Sequence, residues 1–167
     1  MIESEIKSDY LTADNWPEAR AIFDEGISSG IASLETQAPD WPTFDQHHLP
    51  HCRFIATIQQ EMAGWAALTP VSYRKAYAGV AEVSVYVARK FHQNGVGSFL
   101  MDRLIRCSEQ SGIWTLQSIV FPENEASLRL HKKFGFRIVG YREQIARNRD
   151  GNWQDTILLE RRCRQIT

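Results

Sequence analysis

The feature that most constrains the fold of this chain is the stretch QNGVGSFLMDRLI at Gln93–Ile105, where two glycines stand directly before an amphipathic run. The segment before it, Val83–Val87, alternates valine with Ser84 and Tyr86, which is typical of a strand. A strand, a Gly-x-Gly loop and a helix in this order form either a tight turn or an anion site, in which backbone N–H groups and the helix dipole hold the anion. The Gly-Lys-Ser/Thr of a Walker loop is missing, and Leu100 occupies the third glycine position of a GxGxxG fingerprint. Both interpretations stay open from this stretch alone.

Hydrophobic periodicity divides the chain into short strands and helices. The predicted strands are residues 4–11, Phe54–Ile58, Ala63–Leu68, 81–89, 115–121, 136–148 and 152–161, and the predicted helices are residues 12–30, Thr43–His48, Gly97–Gln110 and 124–134. Asp14 and Asn124 are expected N-caps, a turn is expected near Gln60–Glu61, and Gly135 is expected to end the last helix. The order βα(α)βββαβαββ predicts an α/β (α+β) fold, in which helices flank a single mixed, mostly antiparallel sheet and residues 1–167 form a single domain.

The composition excludes several functional classes. A formal net charge of -1 and a sequence pI of about 6.5 argue against a nucleic-acid binder, which carries a basic face. The first residues do not read as a signal peptide, and no apolar run reaches the roughly 18 residues of a membrane helix. The scattered Cys52, Cys107 and Cys163 suggest reduced thiols in a cytoplasmic protein, with neither a disulfide framework nor a zinc site, and Cys107 is expected in a helix core.

Two further features carry polar groups that suit catalysis. Asn124, Ser127 and His131 are spaced by three and four residues, which places them along one stripe of the predicted helix. They form either a capped surface helix with a solvated histidine or one wall of a site. Glu82 leads a strand that is otherwise apolar, so it is either a solvated charge at a strand end or a carboxylate at the edge of a cleft.

The segment YRKAY at residues 73–77 places Arg74 and Lys75 between two tyrosines. Arginine offers a planar fork of donors and lysine a point charge, a combination that suits a carboxylate ligand. The alternative is a solvated basic loop.

Together these motifs resemble the N-acetyltransferase superfamily that uses acetyl-CoA (GNAT). Its signature is a strand, a Gln/Arg-x-x-Gly-x-Gly/Ala loop and a helix, followed by an Asn-opened helix that ends in Lys-x-Gly-Phe. Here these are SVYVARKFHQNGVGSFL and NEASLRLHKKFGF, with His92 in place of the family's Gln or Arg. The stretches GIASLET, RKAYAGVAEVSVYV, LHKKFGF and RDGNWQDTILLE are similar to the phosphinothricin and methionine sulfoximine acetyltransferases, over most of the chain.

The resemblance implies acetyl-CoA as the co-substrate and no metal. The backbone of Val85, Tyr86 and Val87 would pair with the pantetheine arm as an added strand does, and Asn124 would bond to the arm near its thiol end. The pyrophosphate would lie on the N–H groups of the glycine loop, at Gln93, Asn94, Gly95, Val96, Gly97 and Ser98.

The resemblance also implies a direct transfer. Glu82 matches the family's carboxylate base and would remove a proton from the amine, directly or through water. His131 matches a position where this subfamily carries histidine, and it would act as a second base or protonate the departing thiolate. A backbone N–H near Val85 would stabilise the negative charge on the carbonyl oxygen.

The acceptor that the resemblance implies is a small amino acid with a polar, tetrahedral sulfur or phosphorus end group: methionine sulfoximine, methionine sulfone or phosphinothricin. Arg74 and Lys75 would hold its acidic groups, and Glu35 would face it too. The segment GNWQD is similar to a stretch that forms the subfamily's dimer, so a homodimer with a partly buried Trp153 is expected. Plain core packing is the alternative for this tryptophan.

Two other functions fit the same motifs. One is an acetyltransferase with another acceptor, such as a protein N-terminus, a polyamine or an aminoglycoside, and the basic YRK loop argues against the two cationic acceptors. The other is a non-catalytic sensor that binds acyl-CoA, and the presence of both Glu82 and His131 argues against it.

Overall fold

The computed structural model describes residues 5–166, and its seven strands form one sheet with the order β1-β2-β3-β4-β5-β7-β6. The strands are β1 Ile6–Tyr10, β2 Phe54–Ile58, β3 Glu61–Pro70, β4 Val80–Val87, β5 Thr115–Val120, β6 Arg137–Arg147 and β7 Trp153–Arg162. The helices are α1 Trp16–Ser29, α2 Trp41–His47, α3 Val96–Gln110 and α4 Glu125–Lys133. Strands β4 and β5 run parallel and the other neighbours are antiparallel, so the predicted mixed, mostly antiparallel sheet flanked by helices is confirmed.

The two faces of the sheet bury separate apolar clusters, and the alternation of side chains along β3 decides which residue joins which cluster. Trp65 lies under α1 and α2, where its ring packs edge-on against Phe44 with centroids 5.5 Å apart. Leu68 faces the opposite side and belongs to the same cluster as Leu100 of α3. The side chains of β4 alternate in the same way. Those of the residues paired with Trp65, and with every second residue after it in β3, therefore face α1 and α2.

Strands β4 and β5 separate after a short parallel stretch. Their paired residues are Val80 with Thr115, Ala81 with Leu116 and Glu82 with Gln117. Beyond Glu82, β4 stays paired with β3 and β5 stays paired with β7. The two halves of the sheet therefore diverge, and a wedge opens between them at Glu82.

Several predicted boundaries are wrong by one or two residues, each for a local reason. The N-cap of α1 is Asn15 and not Asp14, and the Asn15 side chain bonds back to the preceding loop at Tyr10 and Thr12. The hairpin turn between β2 and β3 lies at Gln59–Gln60, one residue earlier than predicted, because both residues adopt positive φ angles of 50° and 68°.

Helix α2 begins two residues before its predicted start. Asp40 caps it by accepting a hydrogen bond from the Thr43 N–H at 3.0 Å, and Pro42 is tolerated because it lies in the first turn. The predicted N-cap at Asn124 is confirmed, since its side chain accepts a hydrogen bond from the Ser127 N–H at 3.2 Å.

The prediction of three reduced thiols is wrong for two of them. Cys52 and Cys107 form a disulfide with Cα atoms 5.5 Å apart, whereas Cys163 is a buried free thiol. The bond joins the segment that follows α2 to helix α3 across a sequence separation of 55 residues. A separation this long matches no local cysteine motif, so only the packing of α3 against β2 reveals the pair.

Candidate active site

The wedge between β4 and β5 continues into a cavity of about 1170 Å³. One end, which we call the α2 end, is lined by α1, by the connection to α2 and by α2 itself. The other, the loop end, is lined by Gln93, by residues 95–98 and by α4. The cavity brings together most of the predicted site residues: Glu35, Glu82, Val85, Tyr86, Val87, Gln93, Gly95, Val96, Gly97, Ser98, Asn124 and His131.

Three predicted site residues do not line this cavity. Asn94 turns its side chain onto the glycine loop itself, where Nδ2 donates to the carbonyl oxygen of His92 at 2.9 Å. Arg74 and Lys75 lie exposed on the connection between β3 and β4, where Lys75 begins a single 3₁₀ turn. The sequence analysis predicted that these two cations contact the acceptor, but in the structure neither of them lines the cavity.

The two glycines of the loop are under different constraints. Gly95 is the N-cap of α3 with a φ of 78°, and an added Cβ there would meet nothing within 4 Å, so the left-handed backbone selects glycine. At Gly97 an added Cβ would lie 3.3 Å from Leu130 Cδ2, so the Leu130 side chain would have to shift by a few tenths of an ångström to admit it. The N-cap makes no side-chain hydrogen bond, which leaves the first N–H groups of α3 for a ligand.

The backbone of β4 offers hydrogen-bonding groups to the wedge. The N–H of Ala88 donates to β3 at 2.8 Å, and since these directions alternate along a strand, Val85 and Val87 turn their groups toward β5. His92 Nε2 donates to the carbonyl oxygen of Val87 at 3.1 Å, which places that oxygen on the open side. Tyr86, the middle member of the predicted triplet, has its backbone groups turned toward β3.

The Tyr86 side chain instead forms part of the wall at the α2 end. Its ring stacks on Trp65 with centroids 5.0 Å apart, and its hydroxyl donates to the carbonyl oxygen of Ala32 at 3.3 Å. Burial raises the pKa of Tyr86 to about 12, and the carboxylates of Glu35 and Glu82 act in the same direction. The hydroxyl therefore stays protonated and acts as a donor.

Glu82 lies where the two halves of the sheet part. It is paired with Thr69 of β3 on one side and with Gln117 of β5 on the other. Gln117 Nε2 donates to Glu82 Oε2 at 2.9 Å, so one carboxylate oxygen is held in place while the other can reach a ligand. The alternative of a solvated charge at a strand end is wrong, because Glu82 lines the cavity and is half-buried.

His131 is buried rather than solvated, with 4% of its surface exposed. Its Nδ1 lies 2.7 Å from the Ser127 carbonyl oxygen, so Nδ1 carries the hydrogen and Nε2 keeps its lone pair. Nε2 is buried and makes no hydrogen bond to any described residue. Burial lowers the pKa of His131, so the imidazole is neutral near pH 7.

The loop end also carries positive charge. Lys133 of α4 donates from Nζ to Ser98 Oγ at 2.9 Å, and Arg89 and Arg129 line the same part of the cavity. At the start of α4, Asn124 uses Oδ1 as the helix cap, so its Nδ2 amide is the side-chain donor for a ligand. An elongated anion with amide groups in its middle fits this arrangement of donors and cations.

The residues of α2 were not predicted as site residues. Thr43, Phe44, His47 and His48 line the α2 end, together with Thr69. No motif in WPTFDQHHLP signals a site, and the helix joins the cavity only because Phe44 packs onto the sheet between Trp16 and Trp65. Among residues 5–166, no group of three or more His, Cys, Asp or Glu side chains is arranged to hold a metal ion, and no helix is long and apolar enough to span a membrane.

A family model for the acetyltransferase (GNAT) family matches residues 13–136, which is more than half of the chain. The chain belongs to this family. This match confirms the family that the glycine loop and the Asn-opened helix predicted from the sequence.

Individual members of the GNAT family are also similar to this chain. The phosphinothricin N-acetyltransferase of Alcaligenes faecalis is 31% identical over 160 residues, which cover 89% of this chain and 78% of the relative. The L-methionine sulfoximine/L-methionine sulfone acetyltransferase of Pseudomonas paraeruginosa is 28% identical over 60% of this chain and 58% of its own length. The crystal structure of a GNAT phosphinothricin acetyltransferase from Sinorhizobium meliloti in complex with AcCoA shares the fold, with a TM-score of 0.87 at 20% identity over 97% of this chain and 90% of that one.

Proposed function

We propose that this acetyltransferase transfers the acetyl group of acetyl-CoA to the amino group of a small amino acid analogue, such as phosphinothricin, methionine sulfoximine or methionine sulfone. The observation that carries the proposal is Glu82, whose carboxylate lies where β4 and β5 part and lines the cavity that ends at the N-terminus of α3. The relatives named for these acceptors support the substrate class. Residues 1–167 would act as a single N-acetyltransferase domain.

The residues of the loop end fit acetyl-CoA. The uncapped N-terminus of α3 and the loop Gln93–Ser98 would hold the pyrophosphate, with Arg129 and Lys133 nearby for the outer charge. Val85 and Val87 would bond the pantetheine arm through the backbone groups that they turn to the wedge. The Asn124 amide would donate to the arm near the thiol end.

Bound acetyl-CoA supplies the activated carbonyl carbon that receives the amine. An ammonium group has no lone pair, so Glu82 removes one proton and the nitrogen then attacks. Gln117 holds one oxygen of the carboxylate, which keeps the other directed at the acceptor. The Val85 N–H would stabilise the negative charge that develops on the carbonyl oxygen.

The tautomer of His131 favours one of its two predicted roles. With the hydrogen on Nδ1 and a lone pair on Nε2, the neutral imidazole can take a proton but cannot give one from Nε2. We therefore propose that His131 acts first as an acceptor, and that it protonates a departing thiolate only after it has gained a proton. Burial disfavours this charged state, which makes Glu82 the principal base.

The charged residues around the α2 end also fit a second class of acceptor. Arg74 and Lys75 would hold the acidic groups of an amino acid analogue only from the rim of the cavity, since neither lines it. The carboxylates of Glu35 and Glu82 line the cavity at the α2 end, and negative charge there favours a cationic acceptor such as a polyamine.

Thiol release from acetyl-CoA separates the two candidates. The acceptor panel would hold phosphinothricin, methionine sulfoximine, methionine sulfone, spermidine and a short peptide. Turnover on the first three is the expected result. Turnover on spermidine alone would replace the proposed acceptor, and acetyl-CoA binding without turnover on any acceptor would favour a sensor. Replacing both Arg74 and Lys75 with alanine should raise the KM for the amino acid acceptors and leave the KM for acetyl-CoA unchanged.

We also propose a homodimer formed through β6. This strand is the edge of the sheet and exposes Ile138, Tyr141 and Ile145, and edge strands of this kind pair readily with another chain. Trp153 on the adjacent β7 is 53% exposed and carries the Arg147 guanidinium 3.8 Å above its ring, so it is not a core residue of the single chain. Light scattering should give twice the chain mass, and Ile145→Asp should reduce it to one chain.

A further inference from the structure

His48, the residue that follows α2, has one ring nitrogen fixed and the other left for a ligand. Its Nδ1 donates to the carbonyl oxygen of Phe44 at 2.8 Å, and its ring stacks on the Phe44 ring with centroids 3.8 Å apart. The carbonyl can only accept, so Nδ1 carries the hydrogen and Nε2 keeps a lone pair. His48 lines the cavity, while its Nδ1 edge is bound to the backbone of α2.

The backbone next to His48 is hydrogen-bonded to the sheet. The N–H of Leu49 donates to the carbonyl oxygen of Leu68 at 2.8 Å, which fastens this segment to β3 next to Thr69. Thr69 lies directly across from Glu82 in the sheet, and neighbouring strands are about 4.8 Å apart. His48 and Glu82 therefore line the same end of the cavity.

A buried arginine holds this segment rigid. Arg53 donates through its guanidinium to the carbonyl oxygen of His48 at 2.9 Å and to Asp45 at 2.6 Å. Burial lowers the pKa of His48 to about 4, so the ring is neutral at the pH of catalysis and cannot repel a cationic amine.

We propose that His48 is an acceptor-binding residue, whose Nε2 accepts a hydrogen bond from the reacting amine while Glu82 removes the proton. This inference rests on the proposed function. A primary ammonium has three N–H bonds. Glu82 gains the first proton, and the electron pair freed by this loss forms the bond to the carbonyl carbon while the carbonyl π pair moves to oxygen. A second N–H stays on nitrogen, points at His48 and becomes the N–H of the amide; the third proton passes through His131 to the thiolate, which leaves when the carbonyl re-forms and the C–S bond breaks. Two acceptors at fixed positions thus set the direction of the lone pair.

Two substitutions separate this role from packing. In His48→Asn the side-chain amide can still donate to the Phe44 carbonyl oxygen, but no acceptor remains at the position of Nε2. In His48→Gln the side-chain oxygen can reach that position. We expect His48→Asn to lower kcat/KM for the acceptor about tenfold at unchanged KM for acetyl-CoA, and His48→Gln to restore it to within about threefold of the parent.

His51→Asn is the matched control, since His51 is exposed and lies outside the cavity lining. Two results would overturn the inference and show that His48 is only a packing residue. One is an equal loss of kcat/KM for the acceptor in the Asn and Gln variants. The other is a rise in the KM for acetyl-CoA that accompanies a fall in the thermal midpoint. If the parent enzyme acetylates only a cationic amine, the proposed acceptor class fails, yet the same pair of variants tested on that amine still decides the role of His48.

Discussion

The two ends of the cavity are built from different kinds of groups. At the loop end, the backbone supplies polar groups through the first turn of α3 and through β4, beside the side chains of Asn124 and Lys133. At the α2 end, the polar groups are side chains from separate segments, including Glu35, His48 and Glu82. Backbone N–H and C=O groups are present whatever the side chains are, whereas a side-chain group can be changed by a single substitution. Under the proposed function, the loop end would bind the co-substrate and the α2 end would select the acceptor.

The largest change in kcat is expected for Glu82→Gln, which tests whether the reaction depends on the carboxylate of the α2 end. Glu82→Gln keeps the hydrogen-bonding partner of Gln117 but removes the base, so kcat should fall by about 10²- to 10⁴-fold at neutral pH. The KM for acetyl-CoA should not change. The control is Glu18→Gln, an exposed glutamate in the first turn of α1. A kcat within a few-fold of the parent would refute the role of Glu82 as base.

The second prediction concerns the disulfide, whose two cysteines lie outside the cavity lining. The disulfide joins the segment after α2 to α3 and closes a loop of 55 residues. By the chain-entropy argument, Cys107→Ser should lower the free energy of unfolding by about 4 kcal/mol while the KM values stay within about twofold. Denaturant unfolding measures this effect, and the reduced parent protein should match the variant. A parent protein whose intact mass shows three alkylated thiols would contradict the bond.

The third prediction uses the pH dependence of stability at the α2 end. The unfolded chain binds a proton at His48 below about pH 6.5, whereas burial lowers the folded pKa to about 4. Stability is therefore complete above pH 6.5 and is lost as the pH falls toward 4. Between pH 6.5 and 5 the parent should lose at most about 2 kcal/mol more than His48→Asn does. Identical pH profiles of the denaturation midpoints would contradict the shift, and His131 adds a dependence of the same sign in both proteins.

The smallest expected effect sharpens the role of the loop end. Gly95 and Gly112 have φ angles of 78° and 79°, and an added Cβ meets nothing within 4 Å at either position. Gly95→Ala and Gly112→Ala should therefore cost a similar 1–2 kcal/mol, by the usual penalty of a left-handed backbone of about that size. Only Gly95→Ala, at the N-terminus of α3, should raise the KM for acetyl-CoA, by roughly threefold. An equal rise in both variants would attribute the effect to stability alone.

Local patterns predicted much of the loop end. The alternation in Val83–Val87, the two glycines and the Asn124 cap are short-range features, and each lies in the predicted element at nearly the predicted residue. The residues of the α2 end were harder to predict. Arg74 and Lys75 are close to β4 in sequence, but they lie on the connection between β3 and β4, outside the cavity lining. His48 carries no sequence signal at all.

Residues a few positions apart were enough to predict the element order, the strand–loop–helix that presents free N–H groups, and the carboxylate near the start of β4. Only the three-dimensional structure shows that β4 and β5 part at Glu82, that α2 closes one end of the cavity, that His131 is buried, and that Cys52 meets Cys107. The physical reason is that these features arise where distant segments pack, and packing depends on the volumes and faces of whole elements rather than on any local pattern.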